Sequence, residues 1–160
     1  MKKLVVMYLV LAFCGCSAVF NGPNCNIGDE LAAEKVDNIK KIKLVGVVHF
    51  ENASYALSKQ DKEMLDNIAT RINAENAKTA IYGHASHYTI TKDPIQRILI
   101  NLEISNYRAV QVVNYLMSKG VKAENIQGFA MYDSRPVANE KTLSGQAANR
   151  RAEIYLYWPE

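Results

Sequence analysis

The longest regular pattern in the chain is helical and covers residues 94–119. Asp93 has the form of an N-cap. Pro94 follows at the first helical position, where its missing N–H does no harm. Gly120 is a typical helix stop, and at 1.5 Å per residue such a helix is roughly 39 Å long. The apolar positions drift in phase near residues 103–106, so one kinked helix or two shorter helices both fit. The fold must accommodate this length.

Strand and helix patterns alternate along the rest of the chain. Four segments have strand patterns: residues 43–50, 79–83, 126–131 and 151–158. The first is a β-branched apolar run that suits a strand covered on both faces, whereas the last alternates apolar and polar residues. Ser58, with Asp61 three residues later, predicts a capped helix through about residue 73, and residues 144–148 predict a short helix. The order predicts an α/β (α+β) two-layer sandwich, with a four-stranded mixed sheet and two long helices on one face.

The N-terminus has the form of an export signal. Lys2 and Lys3 precede an uninterrupted apolar run, residues 4–13, which is too short to span a bilayer. Removal of residues 1–15 leaves 17 of the 19 Lys and Arg residues against 16 Asp and Glu. This small excess gives no reason to expect a nucleic-acid partner.

The end of the apolar run resembles the lipobox of bacterial lipoproteins. It reads Phe13-Cys14-Gly15-Cys16-Ser17, and Cys16 fits best as the lipidated residue because a small residue, Gly15, precedes it. The resemblance implies acyl chains on Cys16 as the anchor, without a transmembrane helix. Ser17 after the cysteine then suggests the outer membrane. An ordinary signal peptide that ends in cysteines is the alternative.

The predicted domain boundaries follow from these patterns. Residues 1–15 are the signal peptide, residues 16–42 a tether, and residues 43–160 the single folded domain. Weak helical spacing over residues 29–41 predicts a short helix at the end of the tether. Cys25 would be the remaining free thiol, either inert or available for an intermolecular bridge.

Several short motifs, in this order and spacing, resemble those of the OmpA-like family. That family includes the C-terminal domain of outer-membrane protein A and the peptidoglycan-associated lipoprotein. The central motif N-x-x-L-S-x-x-R-A is matched by Asn101, Ile104 in place of Leu, Ser105, Arg108 and Ala109. The remaining matches are the loop from Phe50 before the Ser58 helix, Gly83-His84, Gly128-Phe129 with Arg135-Pro136, and Asn149-Arg150-Arg151 with Glu153.

The resemblance implies non-covalent binding of peptidoglycan through the diaminopimelate of its stem peptide. Arginine grips a carboxylate with two parallel hydrogen bonds, and a nearby acid holds the ammonium. Motif matching makes Arg108 the carboxylate partner and Asn101 a polar contact. Phe50 and Ser86 fall at the pocket. Arg151 either supports the pocket or, with Asn149 and Arg150, has a structural role where the last strand begins. From the residues alone, Arg108 could instead be a solvated helix charge or an ion pair with Glu103 or Glu51.

The sequence departs from the family where that acid is expected. The family's G-H-T-D reads Gly83-His84-Ala85-Ser86, so the aspartate is replaced by Ser86. The segment from Ser86 to Asn101 is also longer than is usual in the family. Asp93 or Glu51 could substitute, although Asp93 also fits a helix N-cap. Alternatively, binding persists weakly through Arg108, or it is lost.

Two functions of different classes follow. The first is an outer-membrane-anchored lipoprotein of a Gram-negative bacterium, with a monomeric periplasmic domain that binds peptidoglycan. The second is a structural subunit of an envelope-spanning complex, a secretion system or motor, with weak or lost peptidoglycan binding and with protein partners. His84 and His87 could begin a metal site, but no third ligand accompanies them. No nucleophile–base pattern supports an enzyme, and no cofactor is expected.

Overall fold

The computed structural model describes residues 39–159 as a four-stranded sheet with helices. The strands are β1 (Ile39–His49), β2 (Lys78–Gly83), β3 (Ile126–Ala130) and β4 (Arg151–Pro159). The helices are α1 (Lys59–Glu75), α2 (Pro94–Ser118) and α3 (Leu143–Asn149), with one 3-10 turn at Ala123–Asn125. The predictions for the signal peptide, the lipidated Cys16, Cys25 and most of the tether lie outside the described residues.

The sheet is mixed, in the order β1-β4-β2-β3. β4 runs antiparallel to both β1 and β2, and β2 and β3 are parallel. Buried residues from both long helices and from the strands form one core cluster, with Leu65, Ile72, Val112, Leu116 and Ile154 at its centre. The predicted fold class is confirmed. Along β4, the apolar Ala152, Ile154 and Leu156 are fully buried, but Arg151 and Glu153 are buried as well.

The helix caps form as the sequence predicts. Ser58 and Asp61 make the reciprocal capping box, with each backbone N–H donating to the other's side chain. Asp93 caps α2, which runs unbroken through the residues where the apolar phase drifts. The alternative of two shorter helices is therefore wrong.

β1 differs from its prediction in length and position. The strand begins at Ile39, paired with Pro159, so the predicted helix at residues 29–41 is wrong for residues 39–41. β1 is also an edge strand, and Ile42 and Leu44 are each almost half exposed. The prediction of a strand covered on both faces was wrong, because a continuous apolar run does not distinguish an edge strand from a central one.

Candidate functional site

Helix α2 carries three buried polar side chains on one face. Asn101, Ser105 and Arg108 are spaced four and three residues apart, which aligns them along the helix. The Ser105 hydroxyl donates to the Leu102 carbonyl at 2.9 Å and accepts from the Tyr132 N–H at 3.1 Å. This face of α2 is therefore tied to the loop that follows β3.

Gly83 allows α2 to lie against the end of β2. A Cβ atom at this position would collide with the carbonyl oxygen of Ser105, so only glycine fits between strand and helix. The close approach brings the next residue, His84, within reach of the Arg108 side chain.

The Arg108 guanidinium is buried among backbone carbonyls. Its Nη1 donates to His84 O at 2.8 Å, its Nε to Ser54 O at 3.1 Å and its Nη2 to Glu51 O at 3.4 Å. The ring of Phe50 lies 5.3 Å from the guanidinium carbon, a cation–π distance. Arg108 is only 1% exposed, so it is not a solvated helix charge.

No carboxylate among residues 39–159 forms an ion pair with Arg108, whereas Arg71, Arg97 and Arg151 each have one. Glu51 contributes its carbonyl oxygen instead of its side chain. Burial, with a smaller contribution from the nearby Arg150 charge, lowers the pKa of Arg108 to about 10. The side chain thus remains a cation at neutral pH, held in a buried site by neutral acceptors alone.

Asn101 adds an unused donor to the same helix face. Its side chain is buried, and its Nδ2 has no hydrogen-bond partner among the described residues. A buried amide nitrogen without an acceptor is costly. Both the Asn101 amide and the Arg108 guanidinium can donate a hydrogen bond to a further acceptor.

Ser86, at the position of the missing aspartate, contacts an acid from elsewhere in the chain. Its hydroxyl donates to Glu140 Oε2 at 2.7 Å, and the His87 N–H donates to Glu140 Oε1 at 3.0 Å. Sequence reasoning did not find Glu140, because it lies 54 residues from Ser86 in an irregular loop with no motif of its own. The predicted substitutes, Asp93 and Glu51, are not in this position.

Asn149 holds the loop that carries Glu140. Its Oδ1 accepts from the N–H groups of Val137 and Ala138, and its Nδ2 donates to Ala138 O and, at 2.7 Å, to Glu140 Oε1. Gln146 also donates to the Glu140 carbonyl. The side chain of Asn149 therefore organises this loop from the end of α3.

Arg151 belongs to a separate buried network on β4. Its Nε and Nη2 each lie 2.7 Å from Glu153 Oε1, and the Tyr155 hydroxyl donates to Glu153 Oε2 at 3.0 Å. Burial acts to raise the pKa of Glu153, but the Arg151 hydrogen bond and charge hold it below its ordinary value. Burial, followed by the Glu153 charge, raises the pKa of Tyr155 to about 12. Glu153 thus already neutralises Arg151.

His84 lies beside this network with both ring nitrogens lacking hydrogen-bond partners among the described residues. Its Nε2 is 3.8 Å from Glu153 Oε2. Burial and then the Arg151 charge lower the pKa of His84 to about 4, so the imidazole is neutral at physiological pH. Its ring lies beside Glu153, while its backbone carbonyl accepts a hydrogen bond from Arg108.

Asp93 lies on the longer loop that precedes α2. It is exposed, and its Oδ1 accepts from the N–H groups of Ile95 and Gln96, as an N-cap does. Farther along this region, Arg97 and His87 both contact the buried carboxylate of Asp133. A groove of about 420 Å³ lies here, away from Arg108, and is lined by His87, Tyr88, Thr89, Thr91, Lys92, Pro94 and Arg97.

No group of three or more His, Cys, Asp or Glu side chains within residues 39–159 is arranged to hold a metal ion. Within the same range, no helix is both long enough and apolar enough to cross a bilayer.

The chain thus has a two-layer domain in which a buried arginine, Arg108, donates to the carbonyl of the residue that follows β2. The model of the OmpA family matches residues 49–150, so the chain belongs to the OmpA family. It is 31% identical over 112 residues to the peptidoglycan-binding protein ArfA of Mycobacterium tuberculosis, with 69% of this chain and 32% of that protein covered. It is also 31% identical over 109 residues to the probable lipoprotein YiaD of Escherichia coli, with 68% of this chain and 47% of that protein covered.

Solved structures share the fold at low sequence identity. The peptidoglycan-associated lipoprotein of Burkholderia pseudomallei has a TM-score of 0.60 at 22% identity, covering 72% of this chain and 91% of that one. The cell wall anchor of the type VI secretion system of Pseudomonas aeruginosa has a TM-score of 0.59 at 22% identity, covering 83% and 94%. The chain spans about a third to a half of the length of the curated relatives it matches.

Proposed function

We propose that this chain is a non-catalytic, peptidoglycan-binding protein of the bacterial envelope, which grips the diaminopimelate of the stem peptide through Arg108. The observation that carries the proposal is the buried guanidinium without a carboxylate partner among residues 39–159. Burial of an unpaired charge is costly, and proteins retain such costs chiefly at functional sites. An incoming carboxylate would supply the missing anion.

The contacts of Arg108 support exchange with a ligand. The Nη2 contact to the Glu51 carbonyl, at 3.4 Å, is the longest of the three and the weakest. A ligand carboxylate that replaces it gains a charge-assisted hydrogen bond in a dry environment. Ala53, in the same loop, has a left-handed backbone (φ 51°), which is unfavourable for alanine. We therefore place ligand entry at the loop of residues 51–54, with Phe50 beneath and Asn101 as a further donor.

The cellular location belongs to the same proposal. Among the relatives are proteins named outer membrane protein A and a probable lipoprotein. We propose that acyl chains on Cys16 anchor this chain in the outer membrane and that residues 43–160 face the periplasm. Such an anchor at one end and Arg108 at the other would connect the membrane to the cell wall.

A second candidate function is a structural subunit of an envelope-spanning complex. It is favoured by exposed apolar residues on the first half of α2, where Ile95, Ile98, Leu99 and Leu102 follow helical spacing. A contiguous apolar stripe of this kind is typical of a protein-binding surface. One solved neighbour is described as a cell wall anchor of a secretion system, and this function is compatible with the first.

Co-sedimentation of the purified chain with isolated sacculi tests the proposal. The wild type is expected in the pellet. Arg108→Ala is expected to bind about tenfold to a hundredfold more weakly, because a hydrogen bond to a charged group contributes about 1.5–3 kcal/mol. Arg108→Lys should also bind weakly, because lysine cannot form the bidentate contact.

Arg71→Ala is the matched control, since Arg71 is a surface arginine of α1 paired with Glu75. It should sediment as the wild type does. Thermal unfolding of each variant separates lost binding from lost folding. Equal sedimentation of Arg108→Ala and wild type would contradict the proposal. If the wild type stays in the supernatant while envelope proteins co-purify with it, the second function stands alone.

A further inference from the structure

Among residues 39–159, Glu140 is an acid without a cationic partner, and it contacts the segment that follows β2. Its hydrogen-bond donors among the described residues are all neutral: the Ser86 hydroxyl, the His87 N–H and the Asn149 amide. No Lys, Arg or His within residues 39–159 forms an ion pair with it. Its two carboxylate oxygens have lone pairs available for a further donor.

Arg108 and Glu140 both bind the short segment that follows β2. Arg108 donates to the carbonyl of His84, and Glu140 accepts from the side chain of Ser86 and the N–H of His87. A cation and an acid thus both contact residues 84–87, and they do not form an ion pair with each other. A ligand that carries a carboxylate and an ammonium has a charge complementary to each.

The protein fixes Glu140 in place before any ligand arrives. The carboxylate accepts from Asn149 Nδ2 at 2.7 Å, and the Glu140 carbonyl accepts from Gln146 at 3.0 Å. Asn149 itself is completely buried. An acid held from both its side chain and its backbone loses little conformational entropy on binding, which favours affinity.

We infer that Glu140 is the ammonium-binding residue of this chain, in place of the aspartate that Ser86 replaces. Ser86 then acts as a positioning residue, which orients the Glu140 carboxylate toward the ligand. The inference rests on the proposed function, since the ligand is the amino-acid end of diaminopimelate. Neither Asp93 nor Glu51 takes this role. Asp93 accepts from two N–H groups at the start of α2, and the Glu51 side chain is exposed.

Calorimetric titration of the purified full chain with two small probes tests this role. The first probe is meso-diaminopimelate. The second is pimelate, which has the same carbon chain and carboxylates but no ammonium. The wild type is expected to bind diaminopimelate about tenfold to a hundredfold more tightly than pimelate. This comparison needs no variant and is unaffected by folding defects.

Glu140→Gln removes the charge but keeps the size and an acceptor oxygen. It should weaken diaminopimelate binding by a similar factor, leave pimelate binding unchanged or slightly stronger, and so abolish the discrimination. Asp93→Asn is the matched control, because asparagine still caps the helix while the charge is lost. It should retain wild-type discrimination.

The failures of the two proposals are distinguishable. If wild type binds neither probe nor sacculi, the proposed function is wrong and Glu140 has no ligand to hold. If wild type binds diaminopimelate but Glu140→Gln discriminates as well as wild type does, the role of Glu140 is overturned while the function stands. Loss of discrimination in Asp93→Asn alone would assign the acid to Asp93.

Discussion

At the scale of single residues, the domain contains two buried arginines, one with a carboxylate partner and one without among the described residues. Arg151 is neutralised by one carboxylate oxygen of Glu153, and the Tyr155 hydroxyl donates a hydrogen bond to the other. Arg108, of similar burial, is surrounded by carbonyls. The first arrangement is complete without a ligand and is structural, whereas the second lacks an anion. This contrast is the basis for proposing that Arg108 binds a ligand and that Arg151 does not.

His84 makes stability depend on pH. Its pKa of about 4 in the folded chain lies below the ordinary value of 6.5, so between these values the unfolded chain binds the extra proton. Stability should therefore fall as pH decreases from 7 to 5, by about 2 kcal/mol from this group. Urea denaturation of wild type and His84→Gln at both pH values measures the difference. The variant should lose most of this dependence, and exposed His49→Gln should retain it.

An equal pH dependence in His84→Gln and wild type would show that another group is responsible. The range above pH 5 is chosen because Glu153, whose pKa is also lowered, loses its contribution only as pH falls below the ordinary value of 4.5. The two groups are thereby separated in the titration.

At the scale of elements, the site depends on how closely α2 approaches β2. Gly83→Ala would force the Ser105 carbonyl, and with it α2, away from the strand. Overpacking of this kind costs about 1–3 kcal/mol, which urea denaturation would measure. Because the shift separates Arg108 from the His84 carbonyl, binding to sacculi should weaken as well.

Gly128→Ala is a matched control on the neighbouring parallel strand. A Cβ there meets the Val113 side chain at 3.2 Å, and a methyl group can move where a helix backbone cannot. The loss of stability should be smaller than for Gly83→Ala. If the two substitutions cost the same, close backbone packing at Gly83 is not what positions α2.

Local patterns predicted these elements well, and long-range contacts explain what they missed. The Ser58 and Asp93 caps depend on residues two or three positions away, so the sequence contained them. The edge position of β1 depends on which strand pairs with it, and the Glu140 contact joins residues 54 positions apart. The motif identified Arg108, but its carbonyl acceptors come from two loops that only the fold brings together.

At the scale of the whole molecule, the proposals assign the described domain two functional surfaces. One is the proposed ligand site of Arg108 and Glu140, for a ligand that carries both charges. The other is the apolar stripe of Ile95, Ile98, Leu99 and Leu102, which lies on the first half of the same helix. A chain anchored at Cys16 could use the first for the cell wall and the second for a protein neighbour.

The structure of the full chain bound to meso-diaminopimelate would show whether Arg108 and Glu140 hold the two charges of the ligand. We expect one ligand carboxylate within about 3 Å of the Arg108 guanidinium, and the ammonium on the same carbon within about 3 Å of the Glu140 carboxylate. The Glu51 carbonyl should have moved away from Arg108. A ligand bound elsewhere, or an unchanged Arg108 still enclosed by its three carbonyls, would contradict the claim.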